Sequence, residues 1–255
     1  MRILMAGDVV GKPGRRAIRE LVPTLCRELE IDFVIANGEN CAGGLGLTPN
    51  TADELFQAGV DVITTGNHAW AKKEIVPYLE GDCPIVRPMN YPPRAPGKGY
   101  CVHNGVLVAQ VIGTVFLANA ADPFEAIDSM LSQLREVPKV IIVDCHTEAT
   151  SEIGALGWYL DGRVTAVLGT HTHVGTVDAK VLPKGTAFIS DIGMVGPRDS
   201  VIGNATKEVL ERFLTQERVP LKVATGPVVF SSVMLDVDEQ TGFARSIQRV
   251  DREVN

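Results

Sequence analysis

Four of the five histidines stand at the ends of apolar runs, and neighbouring run ends bring amide and carboxylate side chains. MRILMAGDVV carries Asp8, FVIANGEN carries Glu39 and Asn40, and VITTGNH carries Asn67 and His68. VIIVDCH delivers His146, and AVLGTHTH delivers His171 and His173. Imidazole mixed with carboxylate and amide oxygen suits zinc, iron or manganese, whereas an all-oxygen set favours magnesium or calcium. A single histidine at a strand end is usually a hydrogen-bonded surface residue, and Gly-Asn pairs usually make turns. Five donor-bearing ends in one chain point instead to a polynuclear metal site. Two ions held roughly 3.5–4 Å apart, with a bridging carboxylate and an open face, are equipped for hydrolysis. His171 and His173 are two residues apart, so in extended backbone both rings emerge on one side. Asn67 and His68 are adjacent and diverge: one can bind metal while the other faces a substrate. Cys41 and Cys145 flank candidate ligands and are expected to point away from them.

Periodicity shows which elements must position these donors. Residues 2–6, 32–36 and 60–64 read as buried strands, and residues 15–30 as a helix. A second helix through residues 52–59, capped by Thr48 or Asn50, stops at Gly59. Residues 70–80 form a third helical stretch, disturbed by Pro77. This alternation predicts a parallel sheet with right-handed crossovers, whose strand carboxyl ends share the edge where ligands bind. Residues 86–100 are dense in proline and glycine and form a loop. Asn104-Gly105 predicts a tight hairpin turn, and Asp122-Pro123 a helix start. Residues 139–146 and 164–173 carry two more buried strands around a helix near 149–160. Short strands and a helix near 204–216 fill the tail. With no linker or repeat, one domain over residues 1–255 holding a mixed parallel and antiparallel sheet pair is expected.

A chain of 255 residues with 45% hydrophobic content can bury a full core without staples. The net charge of -7 argues against stable binding to duplex nucleic acid. A phosphate substrate stays open, because bound cations dominate the field of a metal site. Five cysteines without a CxxC fit a reducing cytoplasm. Asp8 interrupts the first apolar run, and no run reaches the length of a membrane span. A cytoplasmic protein with no membrane partner is expected.

Gly7-Asp8, the GNH triplet at residues 66–68, the lone strand-end His146 and GTHTH at residues 169–173 resemble the ordered motifs of calcineurin-like metallophosphoesterases. Two departures narrow the resemblance. Val10 stands where the D-x-H motif has histidine, and NGEN puts Glu39 in the bridging place. With DVVGKPGR, AGGLGLTP, TGNHAW, RPMNYP and SDIGMVGPRDSVIG, the chain resembles the YmdB-like 2′,3′-cyclic nucleotide phosphodiesterase family over nearly its whole length. The resemblance implies an α/β fold, a sandwich of two mixed β-sheets flanked by helices (α/β/β/α). It implies a phosphodiesterase acting on small phosphodiesters, 2′,3′-cyclic AMP among them, with a homo-oligomer left open. Asp8 and His173 would hold the first ion, Glu39 would bridge, and Asn40, Asn67, His146 and His171 would complete the second. The two divalent or trivalent ions would be iron or manganese. A metal-bridging hydroxide would attack phosphorus while His68 protonates the leaving oxygen. Val10 would leave the first ion with few protein ligands.

Weaker features do not displace this reading. Gly7, Gly11 and Gly14 are spaced GxxxGxxG, so neither a dinucleotide fold nor its oxidoreductase chemistry follows, and Lys12-Pro13 makes no P-loop. His146-Thr147-Glu148 is an H-x-E, but no P-C-x-x-C follows as in zinc deaminases. Two alternatives remain: a metal-binding regulatory protein acting mainly through partners, and a phosphomonoesterase of the same superfamily. The spare His68 beside a ligating Asn67 favours catalysis over regulation.

Overall fold

Strand β1 (Arg2–Val9) turns alternate residues to opposite faces. Leu4 and Ala6 pack under helices, while Ile3 and Met5 face a second sheet. The computed structural model describes residues 1–254, so Asn255, the last residue of the expected domain, lies outside the described residues. Helix α1 (Gly11–Leu29) leads from β1 to β2 (Phe33–Asn37), and α2 (Pro49–Gln57) leads on to β3 (Val62–Thr64). The short α3 (Val76–Glu80) then precedes β4 (Ile85–Val86). The middle of the chain builds the other sheet from β5 (Tyr100–His103), β6 (Val106–Ile112), β7 (Val140–His146), β8 (Ala166–Thr170), β9 (Lys180–Val181) and β10 (Ala187–Ile189). Helix α4 (Pro123–Gln133) joins β6 to β7, and α5 (Thr150–Leu160) joins β7 to β8. The chain then returns to the first sheet with β11 (Met194–Pro197), α6 (Thr206–Thr215), β12 (Val228–Phe230), β13 (Ser232–Val237), β14 (Ala244–Arg249) and β15 (Arg252–Val254).

The described residues thus form a nine-stranded sheet, with main order β15-β12-β11-β1-β2-β3-β4, and a six-stranded sheet ordered β5-β6-β7-β8-β10-β9. Three apolar layers bind the sandwich. Ile18, Val22 and Leu25 of α1 pack on Leu4, Val34 and Ala36 of the first sheet. Ile3, Phe33 and Ile35 meet Val108, Ile142 and Leu168 between the sheets. Ile127 of α4 with Ile153 and Leu156 of α5 cover Ala109 and Val143 outside the second sheet. The layering is the expected α/β/β/α, and both sheets mix parallel with antiparallel pairs.

Local chemistry explains the element boundaries. Thr48, rather than Asn50, caps α2 through a reciprocal capping box with Thr51. Asp122 accepts from the amides of Phe124 and Glu125, with Pro123 at the first helical position of α4. Asn104 and Gly105 both have positive φ, as the hairpin between β5 and β6 requires. Pro77 does not disturb a helix over 70–80. It sits in the first turn of α3, where its missing N–H costs nothing. No helix among the described residues is long and apolar enough to cross a membrane.

Candidate metal centre

The donor-bearing run ends converge, but from two sheets rather than one edge. β1, β2 and β3 of the first sheet deliver Asp8, Glu39, Asn40, Asn67 and His68, while β7 and β8 of the second deliver His146, His171 and His173. Four donor atoms meet at the seam. His146 Nε2 lies 2.9 Å from Asn67 Oδ1, 3.1 Å from His171 Nδ1 and 3.4 Å from Glu39 Oε1. Ligands about 2.0–2.2 Å from one ion at right or tetrahedral angles stand about 2.9–3.5 Å apart, so this spacing fits a coordination shell. Glu39, His146 and His171 also form a group whose ligand atoms all lie within 4.8 Å of one another.

The second ring nitrogen of each histidine identifies the free one. His146 Nδ1 is 2.9 Å from Thr170 Oγ1, His171 Nε2 is 3.2 Å from Glu148 Oε2, and His173 Nδ1 is 2.9 Å from the carbonyl of Ile202. With its proton held at those positions, each ring turns a lone pair inward. Two such lone pairs facing each other at 3.1 Å, on His146 and His171, repel unless a metal ion or a proton sits between them. The donors fit a metal ion.

A neighbouring set surrounds Asp8. Its Oδ2 accepts from the amide of His171 at 3.1 Å, but its buried Oδ1 has no hydrogen-bond partner and lies 3.9 Å from His173 Nε2. A buried carboxylate oxygen without a donor is costly unless a cation serves it. Asn40 stands on this side: its amide nitrogen is 3.1 Å from both Glu39 Oε1 and His173 Nε2. Its carbonyl oxygen lies 3.1 Å from His68 Nδ1. Glu39 touches both sets, since its Oε1 lies 3.4 Å from His146 Nε2 and accepts from Asn40 Nδ2. Oε1 also lies 3.3 Å from His68 Nδ1, and Oε2 accepts from the amide of His68 at 3.0 Å.

His171 and His173 do not alternate along an extended strand. β8 ends at Thr170, and both histidines take left-handed backbone with φ of 107° and 65°. That conformation costs roughly 1–3 kcal/mol per residue and persists only where surroundings hold it. Asp191 supplies the hold, accepting from the amide and hydroxyl of Thr172 at 3.0 and 2.9 Å. The turn sends the His171 ring to His146 and the His173 ring to Asp8. Val10, in the place of the missing histidine, is buried against the backbone of Gly196 and Gly203.

Gly66 is required by space. A Cβ there would lie 2.5 Å from His146 Nε2 and closer still to Glu39 Oε2. Gly66→Ala should therefore displace two candidate ligands while sparing the cores, lowering metal content and turnover by at least about 10²-fold in an otherwise folded chain. Elemental analysis with circular dichroism checks this, and full metal occupancy in the variant would refute it.

Electrostatics point the same way. Burial opposes the charge of Glu39, but His146 and His68 outweigh it and hold the carboxyl well below the usual range. Burial also opposes a charge on His146, yet Glu39, with Asp8 and Asp144, pushes it up to about 9. Burial, opposed by His146 and reinforced by Glu39, raises Asp8 to about 7. A proton on His146 thus balances the carboxylates when no cation does. Because the folded value of His146 is raised, its contribution to stability is complete below about 6.5 and lost as pH rises through about 9. Removing metal should therefore cost more stability at pH 9 than at pH 6.5, by on the order of a few kcal/mol. Thermal melts with and without chelator across that window check it; a constant difference would contradict it.

Other residues take structural places. Trp70 donates to the carbonyl of Pro96 and packs on Tyr91, and Arg198 pairs with Asp199 and Glu253. Cys41 and Cys145 are buried in the apolar layers, away from the donors. Sequence reasoning assigned no role to Glu148 or Asp191. The H-x-E spacing at His146 and the SDIG stretch carried the signals, but neither discloses a contact with His171 or Thr172 far along the chain.

Comparison with known proteins places the chain among relatives. A family profile described as YmdB-like protein matches residues 4–250. A 2′,3′-cyclic-nucleotide 2′-phosphodiesterase of Bacillus subtilis is 46% identical, the match covering 98% of this chain and 96% of that protein. Crystal structures of two proteins superpose with a TM-score of 0.93. One, from Thermus thermophilus and described as hypothetical, is 43% identical, with 99% of each chain covered. The other, described as a novel phosphatase of Mycoplasma pneumoniae, is 31% identical, with 99% of this chain and 93% of that one covered.

Proposed function

The chain belongs to the YmdB-like family, and from that premise and the geometry of the centre we propose a dinuclear-metal phosphodiesterase acting on 2′,3′-cyclic nucleotides such as 2′,3′-cyclic AMP. It is a hydrolase of phosphoric ester bonds. The facing lone pairs of His146 and His171, with Asn67 Oδ1 and Glu39 Oε1 around them, carry the reading. We assign His146, His171 and Asn67 to one ion and Asp8, His173 and Asn40 to the other, with Glu39 bridging. This differs from the sequence-based expectation for Asn40, because its amide lies beside His173. Iron or manganese suits a nitrogen and oxygen set without thiolate. Bound ions would polarise the phosphoryl group and supply a nucleophilic water at neutral pH.

The chain's own residues do the rest. His68 is partly exposed above the buried donors, so it can reach a bound phosphodiester. The Asn40 carbonyl and the Glu39 carboxylate lie beside Nδ1 and can hold a proton there, leaving Nε2 to face the departing ribose oxygen. We read the two sheets as one metallophosphoesterase domain working in the cytoplasm, where five free thiols persist. Turnover of 2′,3′-cyclic, 3′,5′-cyclic and monoester nucleotides by protein reloaded with manganese or iron tests the reading. Preference for monoesters would replace it with a phosphomonoesterase.

A further inference from the structure

Two residues before His146 on β7, Asp144 is fully buried between the sheets and ringed by donors. Its Oδ2 accepts from Asn37 Nδ2 at 3.2 Å and Gln110 Nε2 at 3.0 Å, and its Oδ1 accepts from Thr170 Oγ1 at 2.6 Å. Neither amide can turn over. Asn37 Oδ1 accepts from the backbone of Glu39 at 3.1 Å, and Gln110 Oε1 from the backbone of Thr65 at 3.0 Å. Both NH2 groups must therefore face Asp144 Oδ2, which accepts from both, and as a carboxylate Asp144 leaves Oδ1 to accept as well. Thr170 has one proton, and the short contact gives it to Asp144. Its oxygen can then only accept, so the 2.9 Å contact with His146 Nδ1 requires the ring proton to be on Nδ1.

We propose that Asp144 and Thr170 are positioning residues that lock His146 as an Nε2 ligand, and so set the affinity of the ion held by His146, His171 and Asn67. The inference rests on the dinuclear reading above but goes beyond it. Asn37 belongs to β2 and Gln110 to β6, so the relay ties the orientation of one ligand to the spacing of both sheets. Outer partners of this kind orient a ligating imidazole and raise its basicity, and their loss typically costs about 10–100-fold in metal affinity.

Thr170→Val keeps the side-chain shape and removes the hydroxyl. Titration of the full chain with manganese against a competing chelator should find two ions in the wild type. The variant should keep one near wild-type affinity and bind the other about 10–100-fold more weakly. Thr170→Ser should restore it. A merely structural role would lower the melting temperature without separating the two affinities. Two ions bound by Thr170→Val as in the wild type would overturn the inference and leave the dinuclear reading standing. A wild-type chain that takes up no manganese, iron or zinc would overturn both. Should Thr170→Val not fold, nitrogen-15 NMR of the zinc-loaded wild type decides: a proton on His146 Nδ1 supports the relay, and a proton on Nε2 overturns it.

Discussion

Replacing His68 by alanine should slow hydrolysis of a ribose cyclic phosphate by about 10²–10⁴-fold while largely sparing a nitrophenyl phosphodiester. A ribose alkoxide leaves badly without a proton, whereas nitrophenolate leaves as a stable anion. The ring sits where this difference should register. It is partly exposed, and its Nδ1 faces Asn40 Oδ1 and Glu39 Oε1. It is not one of the donors gathered around His146 Nε2 and meets that cluster only through Glu39, so its removal should leave metal content near that of the wild type. Equal losses on both substrates would show that His68 positions rather than protonates. Loss of metal would make it a ligand.

Glu39→Gln should be more severe, because it acts on every substrate. Glu39 is buried, reaches both donor sets, and is the anion that holds a proton on His146. Glutamine keeps the shape but would leave two cations facing one fewer negative charge at a buried position. The loss in turnover should exceed the roughly 10–100-fold expected for an outer partner, and metal per chain should fall with it. Near-normal turnover with two ions bound would show that another group bridges.

Much of this site was legible in the sequence, for a simple reason. Ligands at the carboxyl ends of parallel strands directly follow apolar runs, and apolar runs are the plainest local signal a chain carries. Asp8, Glu39, Asn67, His146 and His171 could be found without knowing which strands are neighbours. What escaped depends on neighbours. The division of the five run ends between two stacked sheets is invisible to periodicity, which reports strands but not their sheet. The left-handed turn at His171 and His173 depends on Asp191, which lies beyond the reach of local spacing, so that spacing implied the wrong geometry. That Asn40 lies beside His173, 133 residues away, is likewise not readable from local spacing. Pro77 misled because its effect depends on the turn of helix it occupies, and the start of α3 follows a one-turn 3-10 segment without an obvious cap.

The order of strands has a consequence for biosynthesis. Asp8 and Glu39 emerge early from the ribosome, but β1 meets its second neighbours, β11 and β13, only after residues 194 and 232 have been made. The Ile202 carbonyl that orients His173 also arrives late. At about 5–20 residues per second, roughly 10–40 s separate the first donor from the last support. On the dinuclear reading, the full donor set with its supports can therefore assemble around an ion only after residue 232 has been made.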